Sequence, residues 1–275
     1  NAPAIIDVIT ERQIRDLNTS DLYEVISSLP GIEMMETYFG RTVLQFRGIM
    51  NIHYTNKVLL MVNGSPMYEP VNGAYFLELV PINSIKQIEV IRGPGSSLYG
   101  TKAYSGVINI ITKKNGDQEA LLTGQGSYGS YATFHASASF SKNIDEKSGF
   151  YFAGEILNGN GYDYNVATDE KGNSESLRYK NNPIKIHANY HKNNFTMNAG
   201  FMHREKMGYG IVPVLSYKGE HVQNMFYINA AYAGYLNPDL KMSLTTRLSS
   251  FKNPRVEIGD FPFQVLPGMI PLRCT

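Results

Sequence analysis

The chain has 275 residues, 43% of them hydrophobic, and its 25 Lys and Arg nearly balance 24 Asp and Glu. Near-neutral charge without a basic stripe argues against nucleic acid, and a single cysteine, Cys274, excludes an internal disulfide framework or a cysteine metal site. The longest apolar run is Val58 to Val62, far short of the ~20 residues of a membrane-spanning helix.

The opening "NAPAIIDVIT" lacks a basic start and an apolar core, so it is no signal peptide; the chain is either cytosolic or exported with its signal removed. "IIDVIT" reads as a strand and "TERQIRDL" as a short helix capped by Thr10. "NTSDLYEVISSLPG" then offers Thr19, Ser20 or Asp21 as helix cap. Leu22, Val25, Ile26 and Leu29 follow at helical spacing, and Pro30-Gly31 is the stop. Further strands are expected in "TVLQFRG", "KVLLMVNG", "IKQIEVIRG" and "GVINIITKK", which makes residues 1–115 an α+β domain.

Between the last two strands, "GSSLYGTK" (Gly95 to Lys102) approximates a phosphate-binding loop, but its last two residues are inverted. The segment also continues into a β-branched strand rather than the helix that would face an anion. Its glycines therefore read as turn residues.

From residue 116 the pattern becomes alternation. In "YATFHASASF" Ala132, Phe134, Ala136, Ala138 and Phe140 share one face, while Tyr131, Thr133, His135, Ser137 and Ser139 share the other. Ile184, Ile186, Ala188 and Tyr190 alternate with Lys185, His187, Asn189 and His191, and Leu240, Met242, Leu244 and Leu248 with Lys241, Ser243, Thr245 and Arg247. Weaker versions near 118–126, 149–157, 195–203 and 225–235 bring the total to seven. The links at 127–130, 192–194 and 236–238 are short and that at 141–148 is modest, whereas 158–182 and 204–222 are long and polar. Segments of about 10 residues with two-sided loop lengths are the signature of an outer-membrane barrel, apolar outside and polar inside. A soluble sandwich alternates too, but does not sort its loops this way.

"SIKQIEVIRGPGSSLYGTKAYSGVINIITKK" (84–114) resembles the end of the plug domain of TonB-dependent outer-membrane receptors. "APAIIDVIT", "SDLYEVISSLPGI", "TVLQFRG" and "VLLMVNGSPM" resemble the plug's earlier elements in the same order. Asn63 stands where the family commonly has Asp, and Ser105 where it commonly has Gly. The energy-coupling box of the family falls upstream of this stretch. The resemblance implies a plug (1–115) followed by the first strands of a 22-stranded plugged barrel (116–275). Seven strands cannot close around such a plug, so the chain is expected to be the N-terminal part of a longer polypeptide.

The resemblance further implies active uptake of a scarce ligand, most readily a ferric siderophore, energised by the TonB–ExbB–ExbD complex. The expected protein is not an enzyme. It sits in outer-membrane lipid with the plug inside the barrel and long loops outside. It has no cofactor of its own, the ligand being an iron chelate. Haem, cobalamin or carbohydrate are alternative cargoes, and a non-transporting adhesin is an alternative class. Arg47 and Arg92 match family arginines that pair with barrel glutamates. Outward plug loops at 34–42 and 66–76 would bring Tyr38, Phe39, Arg41, Tyr68, Glu69, Asn72 and Tyr75 to the ligand, with Tyr162, Tyr164, Tyr209 and Tyr217 on the longer loops. His187 and His191 share the polar face of a strand and lack the glutamate of a metal helix motif, and His53 reads as a polar turn residue rather than a haem ligand. No metal or catalytic residue is expected.

Overall fold

The computed structural model describes residues 5–36, 42–49, 57–69, 73, 75–117, 121–165, 176–207, 220–237 and 240–256. The N-terminal unit contains β1 (Ile5–Thr10), α1 (Glu11–Asp16), α2 (Leu22–Ser27), β2 (Ile32–Glu36), β3 (Thr42–Phe46), β4 (Val58–Val62), β5 (Ser65–Pro66), β6 (Ile85–Arg92), α3 (Ser96–Tyr99) and β7 (Gly106–Thr112). Single helical turns also occur at Leu77–Leu79 and Ile82–Ser84.

Local chemistry sets these elements. Thr10 and Gln13 form a reciprocal capping box at the start of α1. Of the three possible caps before α2, Asp21 is the one used, accepting from the Tyr23 amide at 2.8 Å. Gly31, at φ +76°, turns the chain out of that helix, a conformation that costs glycine little.

Five strands form one sheet in the order β1-β6-β7-β4-β5, with β4 and β7 parallel. All of β4 is buried, because Val58, Leu60 and Val62 enter the main core while Leu59 and Met61 face Ala103 and Val107 on the other side. That two-sided burial explains the only uninterrupted apolar run of its length in the sequence.

The second unit consists of β8 (Leu122–Gly129), β9 (Thr133–Asp145), β10 (Ser148–Asn158), β11 (Tyr162–Asn165), β12 (Ser176–Tyr179), β13 (Asn181–Lys192), β14 (Phe195–Met207), β15 (Glu220–Asn237) and β16 (Leu240–Val256). Seven of these form one antiparallel sheet, in the order β16-β15-β14-β13-β10-β9-β8, open at both edges among the described residues. The number of strands matches the alternation, but the strands are longer than read from it: β15 has 18 residues and β16 has 17. The link placed at 141–148 shrinks to residues 146–147, because the ladder between β9 and β10 continues through polar residues to Asp145 and Ser148. Inside the long link after β10, β11 and β12 pair as a separate hairpin.

The sheet reverses the usual sorting of polarity. Leu122, Phe134, Phe152, Ile184, Phe201, Phe226, Leu244 and Leu248 are exposed, whereas Ser139, Glu155, Lys185, His187, Arg204, Lys206 and Asn229 are buried against the N-terminal unit. Met202, Met225 and Tyr227 on the same inner face join that unit's apolar core, so one core spans both units. Gly200 is needed here. A side chain on it would collide with the Tyr227 ring, which crosses β14 at that point so that its hydroxyl meets Nδ1 of His187 on β13 at 2.9 Å.

Three local expectations are corrected. The loop expected at 34–42 gives up Met34 to Glu36 to β2, which pairs with β3 in the register Ile32↔Phe46. "GSSLYG" holds one helical turn, α3, although that turn precedes Gly100 and Lys102 and leads into β7. The link at 158–182 carries a hairpin rather than irregular chain only.

Gly106 opens β7 where a Cβ would lie 2.8 Å from both the Ile91 carbonyl oxygen and the Phe46 ring. Gly106→Ala is expected to destabilise the N-terminal unit by about 1–3 kcal/mol through overpacking, read as a lower denaturant midpoint for its protection from protease.

Candidate functional site

Charged side chains on the inner face of the sheet need partners, since burying an unpaired charge costs several kcal/mol. The N-terminal unit supplies them from the stretch between Leu77 and Ser84. Glu78 pairs with Arg204 of β14, which also donates to Gln223 of β15 and stacks over the Phe76 ring. Burial pushes the Glu78 carboxyl up, but Arg204 first, then Lys206 and Lys185, hold it below the ordinary carboxylate range. Glu155 of β10 accepts from the Ile82 amide at 2.6 Å and from Lys185 at 3.0 Å, with His135 at 3.4 Å. Tyr151 donates to the Asn83 carbonyl at 3.2 Å, and Asn63 donates to Asn198 at 3.0 Å. The seam is thus closed by a mixture of charged and neutral contacts.

Among the described residues neither arginine of the expected pairing, Arg47 or Arg92, meets a wall glutamate. Arg92 forms its ion pair with Asp7 of β1 at 2.7 Å and donates to the Pro30 carbonyl, so its contacts lie within the N-terminal unit. The cause is register: Arg92 lies directly opposite the start of β1, close enough for Asp7 to reach it. Arg47, at φ +50°, is exposed and has no carboxylate partner among the described residues. In the Glu78–Arg204 pair the N-terminal unit gives the carboxylate and the sheet gives the arginine. Sequence reading missed Glu78 and Arg204. The available signals were an acid inside the apolar "FLELV" run and an arginine on the inner face of its strand.

Of the residues expected at the ligand, Tyr38, Phe39, Arg41 and Asn72 lie outside the described residues, as do His53, Tyr209 and Tyr217. Tyr75 is corrected: it is 2% exposed in the main core, where burial raises its phenol and Leu44 provides a backbone partner. It has no surface to offer a ligand. Tyr68 is half-buried, with the Lys102 ammonium 3.9 Å and the Arg247 guanidinium 5.5 Å from its ring centroid. Neighbouring Glu69 buries one carboxylate oxygen that has no partner among the described residues. Tyr162 stacks on Tyr179 at 5.3 Å, which ties together the β11–β12 hairpin. His187 is taken by Tyr227, and no cluster of three or more His, Cys, Asp or Glu suited to a metal occurs among the described residues.

Among the described residues no helix is long and apolar enough to cross a membrane; that criterion does not bear on strands. Residues 1–107 match the family model of the TonB-dependent receptor plug domain. In this chain, residues 1–107 are a TonB-dependent receptor plug domain. Its N-terminal unit is the plug, and the seven-stranded sheet is a partial, unclosed wall of the kind that forms the barrels of such receptors.

Among curated proteins, the vitamin B12 transporter BtuB of Photobacterium profundum is 29% identical over 261 residues, 92% of this chain and 41% of that protein. The iron-regulated outer membrane virulence protein of Vibrio cholerae is 39% identical over 126 residues, 43% of this chain and 18% of that protein. In structure, the siderophore receptor PirA of Acinetobacter baumannii aligns with a TM-score of 0.62 at 17% identity, covering 89% of this chain and 39% of that one. A mutant of the ferric enterobactin receptor PfeA of Pseudomonas aeruginosa aligns with a TM-score of 0.59 at 18% identity, covering 90% and 45%. The chain spans about two fifths of the length of the B12 transporter it matches.

Two outcomes follow for the plug of the full-length protein. Glu78→Ala strands Arg204 in the seam and is expected to cost about 3–5 kcal/mol, seen as increased entry of vancomycin into cells, with Glu78→Ala/Arg204→Met recovering part of the loss. Burial, then Glu78 and Glu24, raise Asp21 from 3.8 to about 6. The folded plug therefore takes up this proton more readily than the unfolded chain, and acidification from about 6 toward 4 adds stability. Asp21→Asn, which keeps the helix cap, is expected to stabilise the plug by roughly 1–3 kcal/mol at pH 7.5 and by much less at pH 4, checked by denaturation at both values.

Proposed function

We propose that this chain forms the plug and the first barrel strands of an outer-membrane receptor that actively imports a ferric siderophore. The observation that carries the transport reading is the seam itself: a compact domain held by hydrogen bonds and ion pairs against the polar face of a sheet whose other face is apolar. Such a domain occupies the space that a hydrophilic cargo would use. In this reading the division falls at residues 115 and 116, between the last plug strand, ending at Thr112, and the first wall strand, beginning at Leu122. The TonB–ExbB–ExbD complex supplies the energy, and the long links face the cell exterior.

The choice of cargo rests on Tyr68, whose ring is flanked by the cations Lys102 and Arg247. An aromatic ring under two cations suits an anionic chelate with aromatic donors better than a neutral one. Tyr38, Phe39, Arg41, Glu69 and Asn72 are the further contacts in this proposal. A second reading, cobalamin uptake, is favoured by the relative named as a vitamin B12 transporter, which aligns along 92% of the chain.

Uptake of labelled ferric enterobactin, haem and cyanocobalamin is measured in cells with and without the full-length gene, each with TonB intact and inactivated. Loss of ferric enterobactin uptake on removing either the gene or TonB is the expected result. Loss of cyanocobalamin uptake alone would replace the cargo, and no change for any compound would overturn the transport reading.

A further inference from the structure

Six inward-facing residues of the wall lie directly opposite one another across successive strands: Ser141, Tyr151, Asn189, Asn198, Asn229 and Arg247, running from β9 to β16. They form a polar row at one level, and the plug is held at three points along it. Tyr151 donates to the Asn83 carbonyl, Asn198 accepts from Asn63, and Arg247 donates to the Pro66 carbonyl. Asn63 and Pro66 flank the turn that joins β4 to β5. Asn63 is bound firmly to the plug as well, because its amide donates to the Thr112 hydroxyl at 2.8 Å and accepts from the Thr112 backbone at 2.9 Å.

Between the two seats used by this turn stands Asn229. It is 4% exposed, and both its amide nitrogen and its amide oxygen are buried without a partner among the described residues. Asn189, on the other side of Asn198, donates to Asn198 at 2.7 Å and leaves its own oxygen unpaired. The idle amides and the turn line a common cleft of about 370 Å3, along with Thr196 and Thr245. Buried amides are normally bonded, so an unused one beside an occupied one marks a position that a second arrangement can use.

We propose that Asn229 is a second seat for the Asn63 turn, giving this edge of the plug two hydrogen-bonded positions on the wall, one strand spacing or about 4.8 Å apart. At Asn63 the exchange conserves the number of hydrogen bonds to the wall. The Asn63 amide leaves the Asn198 oxygen and takes the Asn229 oxygen, while Asn198 keeps its bond from Asn189. No charge is uncovered, unlike a displacement at Glu78 and Arg204, and the cleft gives the turn room to move. Asn229 is thus a positioning residue: it touches the plug in one state and not in the other, and an element with two discrete packings is what a gate requires. Its use in transport rests on the function proposed above, but the existence of the seat does not.

The seat is tested first without transport. In full-length protein carrying Cys274→Ser, Asn63→Cys is combined with either Asn198→Cys or Asn229→Cys, and linked peptides are followed by mass spectrometry under mild oxidant. A disulfide needs Cα atoms within ~7 Å, so closure reports visits to each seat. Both pairs are expected to close, the second within about ten-fold of the rate of the first; a 229 pair that stays open overturns the proposal. In cells, Asn229→Leu is expected to leave affinity for the cargo found by the uptake assay within two-fold while cutting uptake at least five-fold, with recovery in Asn229→Gln. Wild-type uptake, or joint loss of binding and uptake with vancomycin entry, would make the residue merely structural and overturn it. A wild-type protein that imports none of the labelled compounds would defeat the transport reading and leave the disulfide result to judge the seat.

Discussion

The buried ion pair between Glu78 and Arg204 fixes how the two units can be related. A sheet that turns arginine, lysine and glutamate toward its own interior cannot leave that face empty in a low-dielectric setting, nor cover it with an apolar layer alone. The plug meets this demand with one carboxylate, the helical-turn amide of Ile82, and neutral polar groups such as the Asn63 amide and the Asn83 carbonyl. Apolar contact through Met202, Met225 and Tyr227 adds cohesion without specifying an orientation. The ion pair does specify one. It places Leu77–Leu79 against β13 and β14, which brings Ile82–Ser84 onto β9 and β10.

Much of this was legible in the sequence, because periodicity is a local property. Alternation found seven wall strands, and the plug strands fell where β-branched runs lay between turn residues. The polar sides of those strands do face the interior, where His187 meets Tyr227. Strand ends were less legible. Polar residues such as Lys142, Asn143 and Asp145 look like loop in sequence, yet in a long antiparallel ladder their backbone groups are still paired.

The candidate site was read less well, for a different physical reason. Which arginine meets which carboxylate depends on register and on packing between segments more than 100 residues apart, as for Glu78 and Arg204, and no local pattern encodes that. The contact of Arg92 with Asp7 likewise follows from strand register, which its motif does not encode. Tyr75 lies in a loop-like, aromatic stretch of sequence, and only the fold reveals that this part of the stretch turns into the core. Tyr68, seven residues earlier, stays at the surface beside two cations.

The missing side chain at Gly200 bears on how such a wall is built. An antiparallel sheet with one apolar and one polar face can slip by a residue only by exchanging every inside and outside group, and an open-edged sheet has no closed circumference to forbid the error. Tyr227 reaches across the gap at Gly200 to His187, spanning three strands with one contact that exists in a single alignment. Moving β14 by one residue would bring Ala199 or Phe201 under the ring and block it. The absent side chain at Gly200 therefore fits one alignment of these three strands and not its one-residue neighbours.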